Sequence, residues 1–483
     1  MYKIILLFLL SIFSIIPLSA ASLDSLVSTP YPSKNPNKDF SRKFVDIFLD
    51  RRTHHKDTTS GEPFEFGDFT WMNGNDRRHN AILASKYVTG IVLLDVNYTA
   101  SDHHPIDNTV VGSTALARNN EIQLSLAAFG GEFNYHNVRA KVVLQFGTRS
   151  TIVPRNDASW NRGGYHLENA YRYFSEAYAG YHFNKLHGIN LDAGIFMSYV
   201  GLFSYYSAEN WAYQPSFTSD NTPWFFNGLR LQIFPSTKFK QEIWLINGWQ
   251  SYGKFNNMPG FGSQTMWRPN ERVSLSSNNY LGTDVGNNPR CYRFHTDNSF
   301  LLRYYNMPTG KFSKAAFCIT ADMGFQKGGG FGGFGLLTKD PQSYFLSAMI
   351  YNRMWFGKDH FAITMGGGFM TNPSRYLVLY PSGDADPNLN PVTGQTIGTH
   401  PFSTAITDGF VGWDCSTTLD WMPNDMITFR VEVVHREANT PYFAGHGGVT
   451  SPDGYNGTPI PAGWAPDLVK TETRFIGALL VRF

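Results

Sequence analysis

The sequence predicts an all-β protein: a transmembrane, antiparallel, up-and-down β-barrel of about 14–16 strands, with short periplasmic turns and long extracellular loops. Three observations predict this fold class. Apolar and polar residues alternate along many segments, short and long connections between these segments alternate, and Tyr, Trp and Phe concentrate at the segment ends. Together they describe strands that have one apolar and one polar face and that end at a membrane surface.

The composition favours strands rather than helices as the spanning elements. Charged residues make up 16% of the 483-residue chain and aromatic residues another 16%, whereas soluble domains carry about 25% charged residues. After the N-terminal segment, no apolar run reaches the roughly 18 residues that a spanning helix needs. The net charge of +2 gives no indication of nucleic-acid binding, so we expect no nucleic-acid partner.

The N-terminal segment MYKIILLFLLSIFSIIPLSAAS has the form of a secretory signal peptide. Lys3 precedes an apolar run from Ile4 to Ile16, and small residues follow that run. We therefore expect a signal peptide at 1–21, a Pro- and Asn-rich periplasmic linker at 22–62, and an outer-membrane barrel of a Gram-negative bacterium at 63–483. The alternative interpretation, an N-terminal membrane anchor, is disfavoured because the apolar run is short for a spanning helix.

Alternation is clearest in the segments MITFRVEVVHRE, GINLDAGIFMSY and FFNGLRLQIFP. Alternation alone does not distinguish a soluble sandwich from a membrane barrel. The barrel is favoured because the segments run to about a dozen residues, and tilted spanning strands need about 9–11. The aromatic segments AYRYFSEAYAGYHF, YNRMWFG and LDWMP match the girdles found at membrane interfaces.

The connections define pairs of strands. Short connections such as KLHG, PST, GKDH and PN join strands, and long polar loops separate the pairs. NNMPGFGSQTMWRPNERVSLSSNNYLGTDVGNNPR and PSGDADPNLNPVTGQTIGTHP are predicted long loops. Counting from Ile91–Tyr98 to the C terminus predicts about fourteen strands. The alternating segment Phe64–Gly74 is a candidate for an added hairpin, or for an N-terminal hatch inside the barrel.

The C-terminal segment TETRFIGALLVRF predicts the closing strand. Its apolar face would contact outer-membrane lipid, and Arg474 and Arg482 would lie on the other face. The residues of the apolar face are Phe475, Leu479, Val481 and Phe483. A terminal aromatic resembles the signal that outer-membrane assembly machinery reads, so we expect this machinery as a partner through the C-terminal strand.

Several long segments resemble the OmpL-like beta-barrel porin family of Gram-negative bacteria. They are NVRAKVVLQFGT, FSEAYAGYHFNKLHGINLDAGIFMSYVGLFSYY, NWAYQPSFTSDNTPWFFNGLRLQIFP and IWLINGWQSYGKFN. The resemblance extends from about Phe64 onward and is densest between Asn137 and Asn256. It implies an outer-membrane channel for small solutes, and it carries over no catalytic residues.

If the apolar face is outside, the alternate charged positions line the lumen. The predicted pore-lining residues are Arg139, Lys141, Arg172, Glu176, Asp192, Arg230, Lys238, Lys240, Glu242, Arg303, Arg353, Arg430, Glu432 and Arg436, accompanied by Asp297, Asp322, Asp414 and Asp420. Rings of charged side chains set ion preference in pores. One hypothesis is a water-filled pore with a weak preference for anions, and the alternative is that the charges pair across neighbouring strands and brace the wall.

The loop GLFSYYSAENWAYQPSFTSDNTP is unusually aromatic for a segment that faces water. We expect it to fold into the lumen and narrow the pore, and the alternative is an external loop packed on its neighbours. The predicted constriction residues are Tyr205, Tyr206, Glu209, Trp211, Tyr213 and Asp220.

No sequence pattern predicts an enzyme. KGGGFGGFGLL lacks the strand-to-helix context of a dinucleotide site, the His pairs lack further ligands at metal-binding spacing, and no catalytic motif is present. We therefore expect no catalytic, cofactor or metal site.

The leading hypothesis is a porin for passive diffusion of small hydrophilic solutes or ions, as a single barrel or a homo-oligomer. The alternatives are a barrel that takes up hydrophobic compounds and an exported glycan-binding β-sandwich.

Overall fold

The computed structural model describes residues 62–154, 157, 163–284, 288–327, 344–373, 409–455 and 457–483. The predicted signal peptide (1–21) lies outside the described residues, as does the predicted linker up to residue 61. The predicted long loop 381–401 and nearly all of KGGGFGGFGLL also lie outside them.

Sixteen antiparallel strands close into one barrel, so the strand count lies within the predicted range. The barrel strands are β1 (Val88–Ser101), β2 (Ile122–Tyr135), β3 (Val138–Phe146), β4 (Phe174–Phe183), β5 (Ile189–Met197), β6 (Phe225–Ser236), β7 (Phe239–Ile246), β8 (Gly260–Asn270), β9 (Val273–Gly282), β10 (Tyr292–Asn306), β11 (Phe312–Lys327), β12 (Tyr344–Phe356), β13 (Phe361–Asn372), β14 (Phe410–Asn424), β15 (Ile427–Ala438) and β18 (Thr471–Arg482).

The remaining described elements are short. Strands β16 (Phe443–Ala444) and β17 (Leu468–Val469) form a separate two-stranded sheet in the β15–β18 connection. Helical turns lie at Arg149–Ile152, Leu167–Tyr171 and Phe217–Asp220, with a 3-10 turn at Ser207–Glu209. Among the described residues, no helix has the length and apolar character needed to cross a membrane.

Successive strands are joined alternately at two ends of the barrel. Short connections, such as those after β2, β6, β8 and β14, lie at one end, which we call the turn end. Long connections lie at the opposite end, the loop end. β1 begins at the turn end, because its last residues lead into a long connection at the loop end. β18 pairs antiparallel with β1, with Leu94 opposite Val481 and Tyr98 opposite Gly477. β18 therefore ends at the turn end.

The two faces of each strand differ as the alternation predicts. Along β14, Val411, Trp413 and Leu419 are exposed on the outer face, while Asp414 and Asp420 are buried on the inner face. On β18, Phe475 is 54% exposed and Arg474 is 0% exposed, which is the predicted orientation of the closing strand. The apolar side chains of the outer face suit contact with hydrocarbon. The closed barrel also satisfies its backbone hydrogen bonds internally, as a hydrocarbon environment requires.

Two predictions about strands are wrong. Segment 256–290, predicted as a loop, contains the hairpin β8–β9, whose register places Phe261 opposite Leu281 and Trp267 opposite Leu275. Polar residues occupy both faces of this hairpin, so no period-two signal marks it. Its backbone hydrogen bonds to β7 and β10 define it instead. Conversely, Phe64–Gly74 adds no hairpin and instead consists of turns.

Replacing Val431 by Arg tests the lipid-facing assignment. Val431 is 60% exposed in the middle of the outer face of β15. Arg at the bilayer midplane is expected to reduce the free energy of unfolding by about 2–4 kcal/mol, and by about 0–1 kcal/mol near the interface. We expect the large loss for Val431→Arg and the small one for Ile427→Arg at the turn end, measured by urea unfolding in lipid vesicles. Equal losses at the two positions would contradict the assignment.

Candidate functional site in the lumen

Most of the predicted pore-lining residues lie on the inner faces of strands. Two do not lie on strands: Arg172 follows the helical turn Leu167–Tyr171, and Lys238 lies in the β6–β7 turn. The aromatic and apolar residues beside Arg172 and Lys238 extend the apparent alternation beyond the strands, which begin only at Phe174 and Phe239.

The β5–β6 loop, residues 198–224, lies inside the barrel. Tyr205, Tyr206, Trp211, Tyr213 and Asp220 are buried there. The structure thus brings the six predicted constriction residues, including Glu209, together with the charged inner wall, and their role as a constriction stays a prediction. Burial raises the pKa of Tyr206 and Tyr213, so these phenols remain neutral.

Inner-wall carboxylates hold this loop by its backbone. Glu432 accepts the backbone N–H groups of Tyr213 at 2.6 Å and Gln214 at 2.9 Å. Asp414 accepts the backbone N–H of Phe217 at 2.9 Å. These bonds satisfy loop donors that are removed from water, where a missing partner costs about 1–3 kcal/mol each.

Arginines of the same part of the wall, on β12 and β15, hold the carbonyl groups of the same loop. Arg430 donates to the carbonyl of Asn210 at 2.7 Å, and Arg353 donates to that of Trp211 at 3.1 Å. Both arginines also pair with Asp420, each at 2.7 Å. The charges therefore pair across the wall, as the second interpretation predicts, and also hold the loop. The preference for anions stays a prediction.

A second loop also enters the lumen, and the sequence analysis did not predict it. In the β1–β2 connection, residues 110–116 are mostly buried, and the Thr114 backbone N–H donates to Asp220 at 2.8 Å. Arg436 and Arg474 donate to the carbonyls of Gly112 and Val111. The apolar stretch VVGSTALA within a polar connection is the signal that could have predicted it.

Residues 62–80, called the N-terminal segment from here on, precede β1 and cover part of the turn end from the inside. Phe69, Trp71 and Met72 are buried, and the Trp71 indole donates to the carbonyl of Glu271 in the β8–β9 turn at 3.1 Å. Arg303, a predicted pore-lining residue, pairs here with Glu271 at 2.9 Å. This pairing places Arg303 beneath the N-terminal segment.

The inward loops and the N-terminal segment cover the wall unevenly. Every inward side chain of β12, β14 and β15 is buried. Partly exposed inward side chains occur instead on β2–β7, and they include Glu132, Arg139, Lys141, Tyr178, Arg230, Gln232 and Lys240. The uncovered part of the lumen therefore follows the β2–β7 wall toward the turn end.

On this uncovered wall, three cations are each more exposed than one carboxylate that pairs with them. The side chain of Arg139 is 24% exposed and its partner Asp192 is 0% exposed, and the ion-pair distance is 3.2 Å. Lys240 is 14% exposed against 3% for Glu242. Lys141 is 15% exposed against 9% for Glu176, although its second partner, Glu132, is 46% exposed.

One glycine makes room for this arrangement. Gly180 stands between Arg139 and Asp192 on the inner face of β4. A Cβ atom at this position would lie 2.3 Å from the Asp192 carboxylate. Asp192 therefore lies over the bare backbone, where it pairs with Arg139 on one side and Arg230 at 2.8 Å on the other.

Among the described residues, no group of three or more His, Cys, Asp or Glu side chains is placed to hold a metal ion. The free Cys291 and Cys318 are buried, whereas Cys415 is exposed.

A closed transmembrane β-barrel with a charged inner wall and inward-folded loops defines an outer-membrane channel of the porin class. The chain belongs to the family described as "Putative beta-barrel porin-2, OmpL-like", whose model matches residues 87–483. No curated protein matches the chain.

Solved structures similar to this chain include three outer-membrane proteins. The channel DcaP of Acinetobacter baumannii has 8% identity and a TM-score of 0.45, covering 82% of this chain and 97% of that one. OmpT of Vibrio cholerae has 8% identity and a TM-score of 0.45, covering 82% and 99%. An anion-selective porin from Comamonas acidovorans has 10% identity and a TM-score of 0.43, covering 82% and 99%.

Replacing Glu432 by Ala tests how the β5–β6 loop is held. The change leaves two buried backbone N–H groups without their acceptor, so we expect the free energy of unfolding to fall by about 2–5 kcal/mol. We also expect faster proteolysis within 198–224. Glu437→Ala, on the outer face of the same strand, is the matched control and should change stability by less than about 0.5 kcal/mol. Similar effects of the two changes would show that Glu432 does not anchor the loop.

Proposed function

We propose that this outer-membrane porin forms a water-filled passage for passive diffusion of small hydrophilic solutes and ions. The observation that supports this proposal most is the uncovered strip of polar and charged side chains on β2–β7, which contrasts with the covered wall of β12, β14 and β15. Solutes would travel along this strip rather than through the centre of the barrel.

The proposed passage has a weak preference for anions. Arg139, Lys141 and Lys240 are partly exposed on the strip, and the carboxylates of Asp192, Glu176 and Glu242 lie deeper. Charge nearest the permeating ion has the largest effect, because water screens more distant groups. The pairing carboxylates and the exposed Glu132 keep the preference small.

The β5–β6 loop acts as the constriction in this proposal. It contacts the inner wall through Glu432 and Asp414 on one side, and Tyr205 donates to Gln145 of β3 at 2.7 Å on the other. A segment held at both sides of the lumen reduces the open cross-section. The wall charges that bond to it also limit its movement.

Uptake of hydrophobic compounds is the second candidate function, because the buried aromatic segment around Phe69 and Trp71 resembles a hatch in position. The ionic lining of the uncovered strip favours hydrophilic solutes instead. Liposomes that contain the protein should swell in isosmotic sugar or amino-acid solutions if the channel is a hydrophilic one. Impermeability to every small hydrophilic solute would favour the second candidate.

Neutralising the cations of the strip should change the ion preference. For Arg139→Gln/Lys141→Gln/Lys240→Gln in a planar bilayer with a salt gradient, we expect the reversal potential to shift toward cation selectivity by about 10 mV or more. Lys358→Gln, in the exposed β12–β13 turn, is the control and should leave the reversal potential unchanged. An unchanged potential in the triple variant, or a strong cation preference in the unaltered protein, would contradict the proposed preference for anions.

Removing the constriction should widen the passage. Deletion of Ser207–Ser219 is expected to raise single-channel conductance about twofold or more, because the narrowest section dominates the resistance of a pore. Deletion of Pro459–Gly463, an exposed part of the β15–β18 connection, is the control of comparable type. Unchanged conductance after the first deletion would assign the loop a structural role only.

A further inference from the structure

The N-terminal segment 62–80 and the β5–β6 loop are joined directly inside the barrel. The Trp211 backbone N–H donates to the Asn73 side-chain oxygen at 2.7 Å, and the Trp211 indole donates to the carbonyl of Trp71 at 3.1 Å. The Gly74 backbone N–H donates in turn to the carbonyl of Glu209 at 3.1 Å. Three hydrogen bonds thus connect two segments that are more than 130 residues apart in the sequence.

A shared arginine strengthens this connection. Arg482, at the end of β18, pairs with Asp76 of the N-terminal segment at 3.0 Å and also contacts Glu209 of the loop. Burial raises the pKa of Asp76, but the hydrogen bond from Arg78 and the charge of Arg482 outweigh it and leave that pKa below its usual value. Asp76 is therefore ionised, and Arg482 bridges two acidic residues from different segments.

The N-terminal segment is itself attached across the turn end. At one side, the Phe64 backbone N–H donates to the carbonyl of Thr237 in the β6–β7 turn at 2.7 Å. At the other side, Arg77 donates to the carbonyl of Ile427 at 2.7 Å, beside the β14–β15 turn. Arg268 adds to the attachment, with its guanidinium 4.6 Å from the ring centres of both Phe64 and Phe69.

The part of the β5–β6 loop that this segment contacts differs from the part held by the wall carboxylates. Glu432 and Asp414 bind the loop from Tyr213 to Phe217. The earlier part, Tyr205–Trp211, is held by three arginines and by the N-terminal segment. Two of the arginines lie on the wall, and the third, Arg149, lies in the helical turn after β3. A change in the N-terminal segment therefore acts on the early part of the loop.

We propose that residues 62–80 form a latch that positions the β5–β6 loop from the turn end, with Asn73 and Asp76 as its positioning residues. Releasing the latch frees the loop around Glu209–Trp211 and uncovers the inner wall beside β18. This inference rests on the proposed role of the loop as the constriction of a porin. It assigns to the N-terminal segment control over the width of the passage.

Thiol labelling tests the latch without relying on conductance. In a background in which Cys291, Cys318 and Cys415 are replaced by Ser or Ala, Ala208→Cys places a reporter in the early part of the loop. We expect Asn73→Ala/Asp76→Ala to raise the rate of maleimide labelling roughly tenfold, because two hydrogen-bonded contacts are lost. A variant that carries Asp76→Glu alone retains the carboxylate, so we expect its labelling rate to be close to that of the unaltered latch.

Asp453→Ala is the matched control, because Asp453 is an exposed carboxylate at the loop end. Folding of each variant is confirmed by the heat-dependent migration of the barrel in electrophoresis. If the double variant does not fold, the single change Asn73→Ala replaces it, with a smaller expected increase. Equal labelling rates in the latch variants and in Asp453→Ala would overturn the proposal.

Single-channel recording of the same variants separates this inference from the proposed function. Larger or more variable conductance in the latch variant, with unchanged conductance in Asp453→Ala, supports both. Increased labelling in a protein that conducts no ions would support the latch and contradict the porin function. The remaining outcome is that the unaltered protein conducts ions and the latch variant matches it in both labelling rate and conductance. This outcome would contradict the latch alone.

Discussion

The constraint on which the structure depends is the need to pair every backbone N–H and C=O group that lies in hydrocarbon. A sheet can meet this need in a membrane only by closing on itself. Closure is achieved where β18 pairs with β1 on one side and β15 on the other. Because side chains alternate along a strand, closure also gives the protein an apolar outside and a polar inside.

The closed wall then creates a second requirement, since its inner charges must be hydrated or paired. Over β12, β14 and β15 they are paired, and the partners come largely from segments that fold into the barrel. Asp420 binds two arginines that also hold the β5–β6 loop, and Glu432 binds that loop's backbone. Breaking such a buried arrangement by removing one member costs about 3–5 kcal/mol, so the same groups fix the loop in one place.

Uneven covering of the wall is what leaves a passage. Along β2–β7 the inward side chains keep partial contact with the lumen, and carboxylates such as Asp192 lie behind the arginines that they bind. The charges of this surface are therefore nearly balanced, and in most of its ion pairs the cation is more exposed than the carboxylate. The N-terminal segment closes part of the turn end and is bonded to the same loop, which links the two parts that restrict the lumen.

The sequence by itself determined the class of fold, the two faces of most strands, the alternation of turns and loops, and the inward position of the aromatic β5–β6 loop. These properties depend on local patterns, since period two and loop composition act within a few residues. Only the tertiary structure decided that the polar segment 260–282 forms a hairpin, that residues 110–116 enter the lumen, and that Phe64–Gly74 crosses the turn end. It also decided which charges are covered and which reach water, because that depends on contacts such as Arg430 with Asn210, between residues far apart in the chain.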